Sequence, residues 1–121
     1  MKRIYIGEDF LPQALLMKNL LDSEEKYEPI LFSDGLEFYR NVQEDPPNLM
    51  ILDIILPSLS GLAITRLLKF HDNYSRIPLI VTSSITDEDI RERVLNTGAD
   101  IFMSKPFKPM ELLSNVKQIL E

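Results

Sequence analysis

The segment NLMILD, residues 48–53, decides the fold of this chain of 121 residues. Four apolar residues stand in a row directly before Asp53. Four other short segments have the same apolar character, namely Arg3–Gly7, Pro29–Ser33, Ile77–Ser83 and Asp100–Met103. Near-continuous apolar runs rich in Ile and Val are typical of strands that are covered on both faces, so they predict a parallel sheet.

Segments with helical periodicity lie between these apolar runs. The buried face of the first helix is expected to consist of Leu11, Ala14, Leu15, Met17, Leu20 and Leu21. Further helix signals are two capping pairs, a helix-ending glycine and a helix-opening proline: Asp34 with Glu37, Thr86 with Asp89, Gly98 and Pro109. The fourth helix has the narrowest apolar stripe, which predicts a loosely anchored helix.

Strand and helix therefore alternate five times along the chain. Right-handed crossovers return each strand to the same sheet in parallel orientation, and the helices then cover both faces. The sequence predicts a single-domain α/β protein, residues 1–121, with a doubly wound (βα)5 fold and a five-stranded parallel sheet.

The composition excludes several classes of function. Lys and Arg total 13 against 19 Asp and Glu, a formal net charge of −6, so direct nucleic-acid binding by this domain is not expected. The chain has no cysteine and one histidine, which excludes disulfide scaffolds, thiolate sites and multi-histidine zinc sites. No apolar run reaches ~18 residues and no signal-peptide pattern opens the chain, so we expect a cytoplasmic protein without a membrane segment.

Reactive side chains follow the strands at their carboxyl ends, where open parallel sheets bind ligands. They are Glu8, Asp9, Asp53, Ser83 and Lys105. Three carboxylates at one place repel one another unless a cation lies among them, and an all-oxygen set favours Mg²⁺. A metal ion, an ammonium and a hydroxyl around a central carboxylate suit phosphoryl transfer to that carboxylate.

Each of these residues also has a simpler interpretation. Glu8 and Asp9 suit the amino terminus of the first helix, where carboxylates are favoured. Asp53 suits a turn before Pro57, and Lys105 suits an ordinary exposed position. The functional interpretation depends on all of them meeting at one edge of the sheet.

Five fragments in order resemble the receiver domain of two-component response regulators. They are the acidic pair Glu8–Asp9, LDIILPSLSG at Leu52–Gly61, IPLIVTSS at Ile77–Ser84, TGAD at Thr97–Asp100 and KPF at Lys105–Phe107. The resemblance covers essentially the whole chain. It implies a flavodoxin-like sheet with the strand order 2-1-3-4-5.

The resemblance implies that Asp53 is the phosphoacceptor. It further implies that Glu8, Asp9 and Asp53 bind Mg²⁺, with Mn²⁺ as a substitute. Asp9 would be the most direct ligand among the acidic pair, and the backbone carbonyl of Ile55 would join the metal site.

The remaining roles implied by the resemblance concern contacts to the phosphoryl group and the conformational switch. Lys105 would pair with the phosphoryl group and be joined to Pro106 by a cis peptide bond. Ser84 would contact the same group through its backbone N–H. Ser83 would be the switch hydroxyl and Phe102 the switch aromatic residue.

Two adjacent hydroxyl residues, Thr82 and Ser83, compete for the switch role. The interval to the Lys105–Pro106 pair that is usual in the family favours Ser83. Strand alternation also sends these two adjacent side chains to opposite faces of the sheet.

The resemblance implies a signalling function. A sensor histidine kinase or a phosphotransfer protein would donate the phosphoryl group. The face formed by helix 4, strand 5 and helix 5 would pass the signal to a downstream effector protein or a fused output domain, or form a homodimer. In this interpretation the chain is not an enzyme beyond its own phosphorylation and dephosphorylation.

Residues 55 and 85 bear on the lifetime of the phosphorylated state. In the family, the residues two beyond the phosphoacceptor and two beyond the switch hydroxyl influence how water reaches the acyl phosphate. Both are isoleucine here, and neither can orient a water by hydrogen bonding, so slow self-hydrolysis is predicted.

Two alternatives from other functional classes remain. A phosphatase of the haloacid dehalogenase kind normally needs a second Asp two residues after the first, and position 55 is Ile. A protein-interaction module of the same fold that is never phosphorylated is disfavoured by the intact acidic set. Absence of Mg²⁺ binding would favour such a module.

Overall fold

The computed structural model describes residues 1–85 and 87–121. Its strands are β1 (Lys2–Gly7), β2 (Tyr27–Phe32), β3 (Leu49–Asp53), β4 (Leu79–Ser83) and β5 (Ile101–Ser104). Its helices are α1 (Leu11–Asp22), α2 (Gly35–Glu44), α3 (Gly61–Lys69), α4 (Glu88–Asn96) and α5 (Pro109–Leu120). Strand and helix alternate as the sequence predicts.

All strands pair in parallel in the order β2-β1-β3-β4-β5, which confirms the predicted fold class and strand order. The strand ends differ slightly from the prediction. For example, β4 begins at Leu79 rather than Ile77, because Pro78 between them has no N–H to donate to a neighbouring strand.

Side chains alternate between the two faces of the sheet and form two separate cores. One face packs against α1 and α5, and its strand residues include Ile4, Ile6, Leu49, Ile51, Ile80 and Met103. The other face packs against α2, α3 and α4, and its strand residues include Tyr5, Met50, Leu52, Leu79, Val81 and the half-buried Phe102. The face on which a strand residue lies thus follows from its place in this alternation.

The buried stripe of α1 is narrower than predicted. Ala14, Met17 and Leu21 are buried, but Leu11 and Leu15 are exposed. A helix lying on a sheet buries the side chains along its line of contact, and Leu11 and Leu15 lie beside that line. The amino-terminal half of α1 therefore presents apolar side chains to solvent.

The helix ends follow the predicted signals, with one exception. The Asp34 side chain accepts a hydrogen bond of 2.9 Å from the Glu37 N–H, and Gly98 has a φ of 102° after α4. The amino-terminal cap of α4 is Asp87, whose Oδ1 accepts from the Ile90 N–H at 2.9 Å. The predicted pair of residue 86 with Asp89 involves Thr86, which lies outside the described residues.

Two further predictions concern burial. Within α4 the buried residue is Val94, which matches the narrow apolar stripe of that helix.

In the part of the chain that the structure describes, no helix combines the length and the apolarity that crossing a bilayer requires.

Candidate functional site

Three charged side chains meet at the carboxyl edge of the sheet. Glu8 follows β1, Asp53 ends β3 and Lys105 follows β5. Strand alternation carries all three to the face that packs against α1 and α5, because Ile6, Ile51 and Met103, each two residues earlier, lie in that core. The fold therefore concentrates charge at one end of an apolar layer.

The Lys105 ammonium joins the two carboxylates. Its Nζ donates hydrogen bonds to Oε1 of Glu8 and to Oδ2 of Asp53, although 97 and 52 residues separate these positions along the chain. The Glu8 side chain is 1% exposed, that of Asp53 10% and that of Lys105 17%. One cation and two anions thus form a nearly buried cluster.

Burial and pairing shift the proton affinities in this cluster. Burial is the largest influence on Glu8 and raises the pKa of its carboxyl group, against the opposing effect of the Lys105 ammonium. Burial by itself lowers the pKa of Lys105, but the hydrogen bonds to Asp53 and Glu8 outweigh it and raise that pKa above its ordinary value. Lys105 therefore remains a cation.

Backbone N–H groups fix the second oxygen of each carboxylate. The Ile55 N–H donates to Oδ1 of Asp53 at 2.9 Å, and the Phe10 N–H donates to Oε2 of Glu8 at 3.2 Å. In both contacts the donating N–H belongs to the residue two positions after the carboxylate. The loop that follows each strand therefore holds the carboxylate in place. The peptide bond between Lys105 and Pro106 is cis.

Gly61 controls the position of Asp53 from the side of α3. Its N–H donates to the Ile54 carbonyl at 2.7 Å, and a Cβ at this position would lie 1.9 Å from the Asp53 carbonyl oxygen. Only glycine fits such a close approach of two backbone segments. The final glycine of LDIILPSLSG is thus explained by packing against the carboxylate-bearing strand end.

The predicted cluster of three carboxylates is present only as a pair. Within residues 1–85 and 87–121, no three acidic or histidine side chains lie close enough together to hold a metal ion. Asp9 directly follows Glu8 beyond the end of β1, and it is exposed. The ammonium of Lys105, rather than a third carboxylate, joins Glu8 and Asp53.

The donor atoms of this edge nevertheless suit Mg²⁺. They are carboxylate oxygens, the ligands that a hard cation prefers. The Glu8 and Asp53 oxygens bonded to backbone N–H groups each have a second lone pair, and Asp9 is accessible on the same loop. The oxygen chemistry of these side chains therefore fits a Mg²⁺ ion, while their arrangement in this structure brings two carboxylates together rather than three.

The two hydroxyls of β4 lie on opposite faces, as strand alternation predicts. Ser83 is buried and its Oγ accepts a hydrogen bond of 2.9 Å from the Ile85 N–H, whereas Ser84 is exposed. Thr82 lies beside Asp53 in the strand register and shares its face. The sequence interpretation preferred Ser83 to Thr82 for the switch role because of the interval to Lys105–Pro106, and it assigned Thr82 no other role, since the position of Thr82 beside Asp53 depends on the register between β3 and β4.

Phe102 lies away from the charged cluster. It is half-buried on the face that packs against α2, α3 and α4, beside Val81 of β4 in the register. The neighbouring helix α4 buries Val94. The aromatic ring thus sits where one weakly anchored helix meets the edge strand of the sheet.

Comparison with known proteins points to one family. The sequence profile described as response regulator receiver domain matches residues 4–117. The phosphate regulon transcriptional regulatory protein PhoB of Rhizobium meliloti is 35% identical over 98% of this chain and 52% of its own length. The chain therefore spans about half the length of this relative.

Two solved structures have the same fold. The signal receiver domain of a signal transduction histidine kinase from Syntrophus aciditrophicus is 34% identical, with a TM-score of 0.90, and the match covers 99% of this chain and 90% of that one. The receiver domain of the sensor histidine kinase PA1611 from Pseudomonas aeruginosa is 26% identical, with a TM-score of 0.86 and coverage of 97% and 95%. The latter structure has a magnesium ion coordinated in its active site cleft.

Proposed function

The chain belongs to the response regulator receiver domain family, and on this basis we propose that it accepts a phosphoryl group on Asp53 and relays a signal through a change of conformation. The observation that carries the proposal is the Lys105 ammonium shared by the buried carboxylates of Glu8 and Asp53. An ammonium held beside a carboxylate nucleophile supplies the charge that an incoming phosphoryl group needs.

The transfer is a substitution at phosphorus. One oxygen of the Asp53 carboxylate attacks the phosphorus atom of a phosphohistidine, so a phosphorus–oxygen bond forms while the phosphorus–nitrogen bond breaks. The electron pair of the broken bond stays on the imidazole nitrogen of the donor. Lys105 remains a cation throughout and balances negative charge on the phosphoryl oxygens.

Glu8, Asp9 and Asp53, with the backbone carbonyl of Ile55, would hold Mg²⁺ at this edge. A bound Mg²⁺ neutralises phosphoryl oxygens. The likeness to the magnesium-bound receiver domain of PA1611 supports this proposal, as does the all-oxygen character of the donors. Mn²⁺ is the expected substitute because it accepts the same oxygen ligands.

The signal would leave the site through Ser83 and Phe102. Ser83 ends β4 with its hydroxyl bonded to the Ile85 N–H, and turning toward a phosphoryl group would break that bond. The half-buried Phe102 would then repack, and the face formed by α4, β5 and α5 would change shape. The small buried face of α4 supports a low energy difference between the two arrangements. Ser84 would contact the phosphoryl group through its backbone N–H.

The partners are proposed at the level of the family. A sensor histidine kinase or phosphotransfer protein is the donor, and an effector protein, an output domain or a second copy receives the signal on the α4–β5–α5 face. Residues 1–121 would form one receiver domain that catalyses only its own phosphorylation and dephosphorylation. A cytoplasmic location stays a prediction.

Labelling by a small phosphodonor tests the phosphoacceptor role. Wild-type protein should incorporate ³²P from labelled acetyl phosphate in the presence of Mg²⁺, and Asp53→Asn should not. Asp45→Asn is the matched control, because Asp45 is an exposed carboxylate that pairs with Arg3 far from this site. Absence of labelling in the wild type would favour the non-phosphorylated interaction module.

A further inference from the structure

Thr82 belongs to a row of side chains that crosses the sheet beside the proposed phosphoacceptor. Asp53 of β3 is paired in register with Thr82 of β4, and Thr82 is paired in register with Met103 of β5. Gly7 of β1 is paired with Leu52 of β3, so Glu8, the next residue, continues the same row on the other side of Asp53. Residues paired in register on adjacent parallel strands point to the same face of the sheet. Three of the four side chains in this row are therefore polar.

The hydroxyl of Thr82 is buried without a hydrogen-bond partner. Thr82 is 1% exposed, and its Oγ1 has no partner among residues 1–85 and 87–121. A buried hydroxyl without a partner costs free energy, which an isosteric valine would avoid. An unpaired hydroxyl next to the reacting carboxylate therefore calls for a role in the site.

The path of the Lys105 side chain passes over the strand that carries Thr82. In the order β2-β1-β3-β4-β5, β4 lies between β5 and the strands that carry Asp53 and Glu8. The Lys105 N–H donates to the Ser83 carbonyl at 2.8 Å, so the lysine backbone still runs beside β4. Its side chain must then cross above β4 on the face of Thr82 to reach the two carboxylates.

The hydrogen-bonding capacities of the two groups match. An ammonium has three N–H donors, and the Lys105 ammonium uses one on Glu8 and one on Asp53. A threonine hydroxyl can accept from such a donor. The third donor of Lys105 and the unpaired acceptor of Thr82 thus lie on the same face of adjacent strands.

We propose that Thr82 is a positioning residue for Lys105, whose ammonium donates to Thr82 Oγ1 when it moves from the Glu8 and Asp53 carboxylates to a phosphoryl group on Asp53. The hydroxyl would then hold the ammonium on the side of β4 while one of its donors remains on the phosphoryl oxygens. This inference rests on the proposed phosphoacceptor function. It differs from the proposed role of Ser83, whose hydroxyl lies on the opposite face.

The test compares Thr82→Val with Thr82→Ser, using ³²P-labelled acetyl phosphate and Mg²⁺ as the donor system. The valine variant should label about three- to tenfold more slowly at saturating donor, while the donor concentration for half-maximal rate changes little. The serine variant, which restores the hydroxyl, should label within about twofold of the wild type. Thr97→Val is the matched control, because the buried Thr97 hydroxyl donates to the Val94 carbonyl at the opposite edge of the sheet.

Two further measurements separate positioning from folding. The midpoint of urea unfolding should be unchanged or higher in Thr82→Val, because an unpaired buried hydroxyl is removed, and lower in Thr97→Val, because a hydrogen bond is lost. The side-chain ¹⁵N resonance of Lys105, assigned by its loss in Lys105→Met, should shift in Thr82→Val after phosphorylation and not in Thr97→Val.

Wild-type labelling kinetics in Thr82→Val would overturn the inference and leave the phosphoacceptor role of Asp53 intact. Equally slow labelling in the valine and serine variants would also overturn it, because the hydroxyl would then not be the determinant. Failure of the proposed function looks different, since the wild type itself would not be labelled.

Discussion

Ion pairs lie at both ends of the strands, and they differ in their solvent exposure and in the number of partners that share one cation. At the amino edge the Arg3 guanidinium binds both oxygens of Asp45, with side chains 32% and 60% exposed. At the carboxyl edge the Lys105 ammonium is shared by two carboxylates that are almost buried. Water screens the first pair, whereas the second loses hydration and depends on its partners.

This difference separates a pair that only stabilises the fold from the cluster that the proposed phosphorylation would rearrange. The Arg3–Asp45 pair satisfies both partners with a fixed two-point contact, and the Asn48 side chain accepts a further bond from the Arg3 N–H. The Lys105 ammonium can leave one carboxylate and keep the other, because it holds each by a single contact. Shared, poorly hydrated charges are therefore the ones that a ligand can rearrange.

Removing the cation at each edge should give the largest contrast. We expect Lys105→Met to lower the free energy of unfolding by about 4 kcal/mol, because two buried carboxylates lose their common counter-ion. Arg3→Met, which removes an exposed cation, should cost several-fold less. Urea denaturation at pH 7 with a metal chelator measures both. Equal losses would show that burial does not distinguish the two clusters.

Alanine substitutions of one glycine at each edge should give the next largest difference in the free energy of unfolding. Gly61→Ala would put a Cβ 1.9 Å from the Asp53 carbonyl oxygen at the carboxyl edge, which forces the backbone to move and should cost about 3 kcal/mol. Gly98→Ala, after α4 on the way to the amino end of β5, meets only the flexible Lys69 side chain but has a φ of 102°, so about 1 kcal/mol is expected. Thermal unfolding of both variants checks the order. A smaller loss for Gly61→Ala would contradict the close approach of α3 to β3.

A substitution that changes water access at the carboxyl edge should change the rate of phosphoryl loss several-fold. The exposed Ile55 and Ile85 cannot orient a water by hydrogen bonding, so loss of ³²P from the labelled wild type should be slow. Ile55→Asn supplies an amide that can hold a water and should accelerate the loss several-fold. The matched control is Leu67→Asn, an exposed apolar residue on α3. Rapid loss from the wild type without any partner would refute this prediction.

The smallest effect concerns the pH dependence of the exposed pair. The hydrogen bond from Arg3 lowers the pKa of Asp45 below its ordinary 3.8. A carboxyl whose pKa is lowered by folding stabilises the protein above 3.8, and this contribution disappears as pH falls through the lowered value. The stability difference between wild type and Arg3→Met should thus be constant from pH 7 to about 5 and shrink below 3.8. Unfolding midpoints across this range measure it, and a difference that grows toward low pH would contradict the pairing.

Much of the fold could be predicted because its signals are local. The five apolar runs, the Asp34 cap and the Gly98 helix end all depend on residues within one turn or one strand. The errors were local as well. Leu11 and Leu15 were expected in the core because periodicity shows which side chains share a helix face and does not show how wide a strip of that face the sheet covers.

The residues that form the site could be predicted from the sequence, but the contacts between their side chains could not. Glu8, Asp53 and Lys105 meet because each stands at the carboxyl end of a strand. That Lys105 spans Glu8 and Asp53 while Asp9 is exposed depends on the face to which each side chain points. Thr82 was considered for the switch role and set aside in favour of Ser83, and its place beside Asp53 follows from the strand register.

The alternation of strands and helices, and the kind of side chain at each strand end, could be read from the order of residues alone, because backbone periodicity and the burial of apolar residues leave local patterns. The neighbours of each strand were implied by the family resemblance alone, and the alignment of the strands became known from the three-dimensional packing. Parallel pairing joins segments tens of residues apart, and its register is fixed by the packing of all the helices together. Thr82 becomes a neighbour of Asp53 only through that register.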